Sequence, residues 1–175
     1  MILVTVGTAR QPFTRLLEAA DALAASAEFS GESFLLQVGH AASSGFRARH
    51  CEQTDFFTRD QFSGCVADAD VVVCHAGAGT LIEVIRAGKI PVAMARLQRY
   101  GEHVDDHQLE LVAELAAVGR VIPVREVGDL AAAIREARRR NVDGSGPPHP
   151  PIVERVRRAI VDLVGPADGR AGQAG

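Results

Sequence analysis

The sequence has few cysteines and no long apolar run. Its three cysteines, Cys51, Cys65 and Cys74, contain no C-x-x-C pair, which argues against a disulfide framework and against a thiolate zinc site. We therefore expect reduced thiols. No run of about 18 apolar residues is present, so we expect no membrane-spanning helix. The N-terminal MILVTVGT lacks the basic and long apolar segments of a signal peptide.

An excess of charge of either sign is also missing. The chain has 175 residues, of which 47% are hydrophobic and 23% are charged, with a formal net charge of -3. This composition is typical of one soluble α/β domain with a sizeable core. It gives no reason to expect a nucleic-acid partner.

Short apolar runs alternate with helical patterns along residues 1–140. The runs read as strands are ILVTV, SFLLQVG, DVVVC, IPVAMA and RVIPV, with a further short strand possible near RHCEQ. Strands that are apolar throughout are typical of a parallel sheet covered on both faces. The sequence therefore predicts a single Rossmann-like, doubly wound parallel sheet. In such sheets ligands bind beyond the carboxyl ends of the strands.

The helices predicted between these strands are equally regular. They cover the segments QPFTRLLEAADALAASA, RDQFSGCVADA, GTLIEVIRAGK, DDHQLELVAELAAVG and DLAAAIREARRR. Beyond them, residues 141–151 are rich in proline and glycine and predict a stiff linker. Residues 152–164 predict an amphipathic helix, and residues 165–175 a disordered tail. We expect that helix to pack on its own domain or on another subunit.

The stretch HAGAGTLIE, residues 75–83, joins the DVVVC strand to the next helix. Gly77 and Gly79 leave the first amides of that helix accessible, which suits a phosphate group. The third glycine of a dinucleotide-binding motif is replaced by Ile82, and no Walker lysine follows. Neither of those motifs is therefore present.

Glu83 and His75 each have two interpretations. Thr80 and Glu83 stand three residues apart, as in a capping box. Alternatively, the Glu83 carboxylate can accept hydrogen bonds from sugar hydroxyls while phosphates meet the glycines. His75 is either a packed residue with one hydrogen bond or a functional side chain. Spacing alone leaves these alternatives open.

Several motifs in a fixed order resemble the donor-binding half of the family 28 glycosyltransferases, which have the GT-B fold. They are VTVGT, PFTRLL, HAGAGTLIE, GKIPVAM and YGEHVDDHQLELVAEL, between about residues 3 and 125. The sequence is most similar to the small catalytic subunits of two-chain UDP-sugar transferases. These subunits act on dolichol-linked sugars or in bacterial exopolysaccharide synthesis. The resemblance implies half of a GT-B enzyme.

The resemblance also implies roles for individual residues. The donor diphosphate would bind at the strand-to-helix loop and at the end of the first strand, through Gly7, Thr8, Gly77, Ala78, Gly79 and Thr80. Glu83 would bind the ribose, and His75 would orient the loop or contact the phosphates. The donor sugar would meet the YGEHVDDHQ segment, through Glu102, His103, Asp106, His107 and Gln108. The catalytic set would be His75, Glu83 and Gln108.

Two further expectations concern the same region. An alternative role for Asp105 or Asp106 is to cap the following helix. Backbone groups near Val124 would read the uracil. Arg10, Arg15 or Arg99 could add positive charge near the phosphates, although each also fits a solvated surface position.

The implied reaction is the inverting transfer of a hexose from a UDP-sugar to a lipid-linked or polysaccharide-precursor acceptor. We expect no cofactor and no metal. The chain has room for only one GT-B domain, so a membrane-anchored partner would supply the acceptor site and hold the chain at the cytoplasmic face. The alternatives are a non-catalytic nucleotide-sugar-binding regulatory module and a self-sufficient homodimeric enzyme. The sequence does not distinguish glucose, glucuronic acid and N-acetylglucosamine.

Overall fold

The structure, a computed structural model, describes residues 1–142. One six-stranded sheet forms the centre, in the order β3-β2-β1-β4-β5-β6 with every neighbouring pair parallel. The strands are β1 Ile2–Thr5, β2 Phe34–Gln37, β3 Glu52–Thr54, β4 Val71–His75, β5 Val92–Met94 and β6 Ile122–Val124. The predicted parallel α/β sheet is confirmed, and the short strand expected near RHCEQ is β3, which begins at Glu52 within that stretch.

Within residues 1–142, four α-helices connect strands and a fifth follows β6. They are α1 Thr14–Ala24, α2 Arg59–Asp68, α3 Ala78–Arg86, α4 His107–Ala117 and α5 Leu130–Val142. The first prediction was too long at both ends. The helix starts at Thr14, with Phe13 in the N-cap position and Pro12 before it, and Pro12 disfavours helical backbone at Gln11. The last helix, in contrast, was predicted too short, because α5 continues two residues beyond its predicted end.

The sheet is covered on both faces, as all-apolar strands require. The alternate β1 residues Ile2 and Val4 pack with α1 and α5, in a core that includes Leu17 and Ile134. Leu3 points to the opposite face, where α2 and α3 cover it. A third cluster joins α3 and α4 over β4 and β5. Helices on both faces leave the strand ends as the place where loops gather.

Strand order reverses beside β1, and this reversal positions the site. Thr5 at the end of β1 lies opposite Gln37 of β2 on one side and Cys74 of β4 on the other. The chain segments leaving β1 and β4 therefore diverge from adjacent points at one edge of the sheet. Such a topological switch point is where open α/β sheets bind ligands.

Other expectations fall mostly beyond the described residues. Asn141 and Val142 belong to α5 rather than to the predicted linker. The rest of that linker, the amphipathic helix at residues 152–164 and the tail at residues 165–175 lie outside residues 1–142. Within the described residues, no helix has both the length and the apolar character needed to cross a bilayer.

Candidate functional site

The residues predicted for the diphosphate meet at one cleft. We use the name glycine corner for residues 75–80, where β4 ends at His75 and α3 begins at Ala78. The cleft has a volume of about 360 Å³. It is lined by the glycine corner, by the end of β1 and by two aromatic rings, through Thr5, Gly7, Thr8, Gln37, Phe57, Phe62, His75, Gly77, Gly79 and Thr80. Of the predicted diphosphate residues, Ala78 is the one that does not line it.

The amides of the glycine corner are available to a ligand. Gly77 is the N-cap of α3, and no side chain caps the helix. The amides of the first helical turn therefore have no intrahelical acceptor, and the helix dipole is positive there. A side chain built at Gly79 would meet no protein atom within 4 Å, so the space over this residue is open. The geometry suits an anion bound by backbone.

Gly7 and Gly77 enclose the ring of His75. A Cβ atom added at either glycine would overlap that ring. Gly7 also has a φ of +69°, a conformation that glycine adopts without strain. These two glycines are therefore needed for the imidazole to lie between the β1 and β4 loops. The ring of His75 therefore fills the space between the two loops.

His75 is an uncharged side chain at neutral pH. Burial, and to a smaller extent the nearby positive charge of Arg96, lower its pKa to about 4, against a hydrogen bond with the Thr5 backbone that raises it. Its buried Nδ1 atom has no hydrogen-bond partner among the described residues. The imidazole is thus a neutral ring between the two loops, and its Nδ1 atom is available to a hydrogen-bond donor or acceptor.

Glu83 is held by a neighbouring helix and not by a cap. The Ser63 hydroxyl of α2 donates a hydrogen bond to its carboxylate. Thr80 is the third residue of α3 and not its N-cap, so the capping-box interpretation is wrong. Glu83 does not line the cleft itself, but Phe62, the residue before Ser63, does. The carboxylate is therefore held next to a helix that contributes to the cleft wall.

Arg96 is a buried cation that the sequence analysis missed. Its side chain is 0% exposed, and it follows β5 by two residues. It donates hydrogen bonds to the carbonyl oxygens of Val6, Gln11 and Glu102, at 2.7, 2.7 and 3.1 Å. Burial lowers its pKa to about 10, opposed by the negative charge of Glu102, so it stays protonated at neutral pH. The one sequence signal for this buried cation is that Arg96 directly follows the apolar run IPVAMA.

Glu102 has a structural role in place of the predicted sugar contact. It is 4% exposed and accepts two hydrogen bonds from Arg15, at 3.0 and 2.9 Å. The amide of Leu97 donates a third, at 3.0 Å. Both carboxylate oxygens are therefore occupied. The same contacts make Arg15 an internal ion-pair partner, whereas Arg10 and Arg99 are exposed.

Gln108 is also tied to the protein. It is 4% exposed, and its carbonyl oxygen accepts a hydrogen bond from the Arg96 amide at 3.0 Å. This contact joins the first turn of α4 to the end of β5. The carbonyl oxygen is therefore engaged, and the side-chain NH2 group is what Gln108 can offer to a ligand.

The remaining predicted sugar contacts surround Asp105. Its carboxylate interacts with the ring nitrogens of His103, at 3.2 Å, and of His107. The two imidazoles meet edge to face with ring centroids 4.8 Å apart. Asp105 also accepts a hydrogen bond from the His107 amide, as its capping alternative predicts. Asp106 instead binds the amide of Gln98 at 2.8 Å and makes no cap.

His103, Asp105 and His107 are also the described residues whose donor atoms could hold a metal ion, because those atoms lie within 4.8 Å of one another. The hydrogen bonds just described account for this arrangement without an ion.

A second cleft, of about 610 Å³, lies between α4 and the ends of β5 and β6. Its wall is largely aliphatic and includes Leu97, Leu109, Val112 and Val124. Val124 is thus two strands away from the glycine corner in the sheet order. This placement removes the basis for the expectation that Val124 reads the uracil. The aromatic wall of the glycine cleft is formed by Phe57 and Phe62.

Comparisons with known proteins agree with this geometry. The chain is 28% identical over 122 residues to the UDP-N-acetylglucosamine transferase subunit ALG13 of Yarrowia lipolytica, which covers 66% of this chain and 60% of that protein. The chain thus spans less than two thirds of that relative.

Two solved structures share the fold. The glycotransferase of kitacinnamycin has a TM-score of 0.61 at 17% identity, covering 94% of this chain and 39% of its own. CalG4, the calicheamicin glycosyltransferase, has a TM-score of 0.58 at 17% identity, covering 95% and 40%. The sheet is therefore that of one half of a GT-B glycosyltransferase.

The model of the glycosyltransferase family 28 C-terminal domain matches residues 1–144, which include every described residue. This chain belongs to glycosyltransferase family 28.

Proposed function

We propose that this chain is the donor-binding subunit of an inverting glycosyltransferase that uses a UDP-sugar. The observation that carries the proposal is the cleft at the strand-order reversal, where Gly7 and the glycine corner face one space. Uncapped helix amides on one side and glycine backbone on the other suit a diphosphate.

The diphosphate would bind at the N-terminus of α3, through the amides of residues 78–80 and the loop of Gly7 and Thr8. The donor's bond between the anomeric carbon and the diphosphate oxygen breaks as an acceptor hydroxyl attacks from the opposite face. Negative charge then grows on the departing UDP. Fixed amides and the dipole of α3 stabilise that charge without reorganising. We propose that this step uses no metal ion.

The nucleoside would lie against the other wall of the cleft. Glu83 is oriented by Ser63, and a carboxylate is an acceptor for both hydroxyls of a ribose. The rings of Phe57 and Phe62 line the cleft, where they offer an apolar surface to the base. Ribose and diphosphate would thus meet opposite ends of the first two turns of α3.

The donor sugar would meet the first turn of α4. His107 and Asp105 are partly exposed there, and His103 and Asp106 flank them. We propose that these side chains and the NH2 group of Gln108 contact the sugar hydroxyls. Glu102 supports them through Arg15 and Leu97 and does not contact the sugar.

A second polypeptide would supply the acceptor site and the general base. The Yarrowia lipolytica relative is itself named a subunit. We propose a membrane-anchored partner with a lipid-linked or polysaccharide-precursor acceptor. The chain would then act at the cytoplasmic face, held there by its partner.

Binding of uridine nucleotides by the purified chain is the first test. A thermal-shift panel of UDP-glucose, UDP-glucuronic acid and UDP-N-acetylglucosamine would identify the donor. A ligand at about 100 times its Kd should stabilise the chain by about 2.7 kcal/mol. Glu83→Gln should weaken the binding of uridine nucleotides while the melting temperature of the unliganded chain stays unchanged. Unchanged binding by this variant would remove Glu83 from the ribose site.

Sugar transfer is the second test. Radiolabelled UDP-sugar would be supplied to membrane extracts with the chain alone and with a co-expressed candidate partner. Transfer that requires the partner supports the proposal. Binding without transfer in any pairing would indicate a regulatory module, and transfer by the purified chain alone would indicate a self-sufficient homodimer.

A further inference from the structure

Arg96 is buried without a carboxylate bound to it. Its guanidinium contacts three backbone carbonyl oxygens and lies 4.9 Å from the centroid of the Phe13 ring. Its Nε atom has no hydrogen-bond partner within residues 1–142. The Glu102 carboxylate is hydrogen-bonded to Arg15 and to the Leu97 amide. The positive charge of Arg96 is therefore solvated by dipoles and not paired directly.

A buried charge in this condition is costly to the folded state. Interior cations are normally paired with anions, because desolvation is only offset by a well-placed opposite charge. The residues around Arg96 show where a bound anion would interact with its charge. Arg96 binds the carbonyl of Val6, the residue before Gly7. Its charge also acts on His75, between the two diphosphate loops.

We propose that Arg96 is the internal positive charge for which the donor diphosphate is the counter-ion. This inference rests on the proposed function, because it takes the glycine corner as the diphosphate site. Arg96 is a positioning residue that fixes the Gly7 loop through its hydrogen bond to Val6. It also contributes positive charge from the protein interior, without contacting the donor. A bound donor supplies the negative charge that Arg96 lacks in the unliganded chain.

A buried charge leaves a signature that the unmodified chain can report. The affinities of UDP, UMP and uridine would be measured by calorimetry at several salt concentrations. Surface ion pairs weaken with salt, whereas buried charges are screened much less. We expect the preference for UDP over uridine to persist as salt is raised. A preference that disappears with salt would assign it to exposed cations such as Arg10 or Arg99.

Variants separate charge from packing. Arg96→Met should lower the affinity for UDP by a factor on the order of ten or more and leave the affinity for uridine nearly unchanged. Arg96→Lys keeps the charge but loses the planar fork, so it should retain most of the preference for UDP. Arg139→Met removes an exposed cation of α5 and serves as the matched control. A role in packing alone predicts equal losses for UDP and uridine, with the lysine variant as weak as the methionine variant.

The outcomes distinguish the two proposals. An unmodified chain that binds no UDP contradicts the proposed function, and the inference with it. A chain that binds UDP while the Arg96 variants keep its preference over uridine overturns the inference alone. If Arg96→Met does not fold, the lysine variant and the salt series decide the matter.

Discussion

The glycine corner and the loop after β5 reach the same end of the sheet with opposite chemistry. The corner, residues 75–80, consists of small residues and one histidine and presents backbone to the cleft. The loop after β5, residues 95–106, is rich in charged side chains, and its buried ones bind Arg15 of α1 or backbone groups. One region is open to a ligand, and the other forms the support beneath it.

This contrast shows that residue type alone does not separate ligand contacts from supports. Glu102 and Gln108 have the polar groups that a sugar site needs, yet both are 4% exposed and engaged with the protein. Gly79 has no side chain, yet the space above it is open to a ligand. The predictions below test whether the two regions have these separate roles.

The largest effect is expected from Gly77→Ala. The new Cβ would overlap the His75 ring, which cannot move freely because Gly7 encloses its other side. Displacement of the ring should disturb both diphosphate loops and weaken UDP by a factor on the order of 100, equivalent to two charged hydrogen bonds. Calorimetry would measure it. Affinity within threefold of the unmodified chain would contradict the steric role assigned to Gly77.

Glu102→Gln should affect stability more than the chemistry of binding. It removes a charge from a largely buried pair and leaves Arg15 without its partner. We expect a loss of about 3 kcal/mol in the free energy of unfolding, measured by urea denaturation. Arg139→Gln, which removes an exposed ion pair with Glu136, is the matched control. A loss no larger than that of the control would mean that Glu102 does not support the loop.

Acid should destabilise the fold through His75. Its pKa is about 4 in the folded chain and about 6.5 when unfolded, so the unfolded state binds more protons between these values. The His75 contribution is fully present above about pH 6.5 and is lost as the pH falls towards 4. It amounts to at most about 3 kcal/mol. His75→Gln should reduce the dependence of the free energy of unfolding on pH between about 4 and 6.5. An unchanged slope would contradict a buried, neutral imidazole.

The smallest effect on stability is expected from Gly79→Ala. Its Cβ enters open space at the second position of α3, where alanine favours helix over glycine. The unliganded chain should gain about 0.5–1 kcal/mol and lose UDP affinity, because the methyl group lies over the proposed diphosphate. Thermal melts with and without UDP would show both changes. A more stable variant that binds UDP normally would place the ligand elsewhere.

Much of this fold follows from local patterns in the sequence. The apolar runs of β1, β2 and β4 and the glycines after β4 are short-range signals, and they predicted the sheet and the glycine corner. The missed features depend on contacts between distant residues. Arg15 pairs with Glu102 across 87 positions, and Arg96 reaches Val6 across 90. No spacing rule reveals such partners, so Arg96 was overlooked and Glu102 was assigned to the sugar.

Predictions about individual helix ends had a similar limit. The Thr80 and Glu83 pair has the spacing of a capping box, but the helix starts at Ala78, so the spacing falls in the wrong place. Whether a carboxylate caps a helix or faces a ligand depends on the start of the helix, which Gly77 decides here.

A crystal structure of the chain with UDP is the most direct test of the central claim. The account predicts the diphosphate within hydrogen-bonding distance of the amides at residues 78–80, with Gly7 on its other side and the ribose at Glu83. A diphosphate bound in the aliphatic cleft of Leu97 and Val124, or away from the N-terminus of α3, would contradict it.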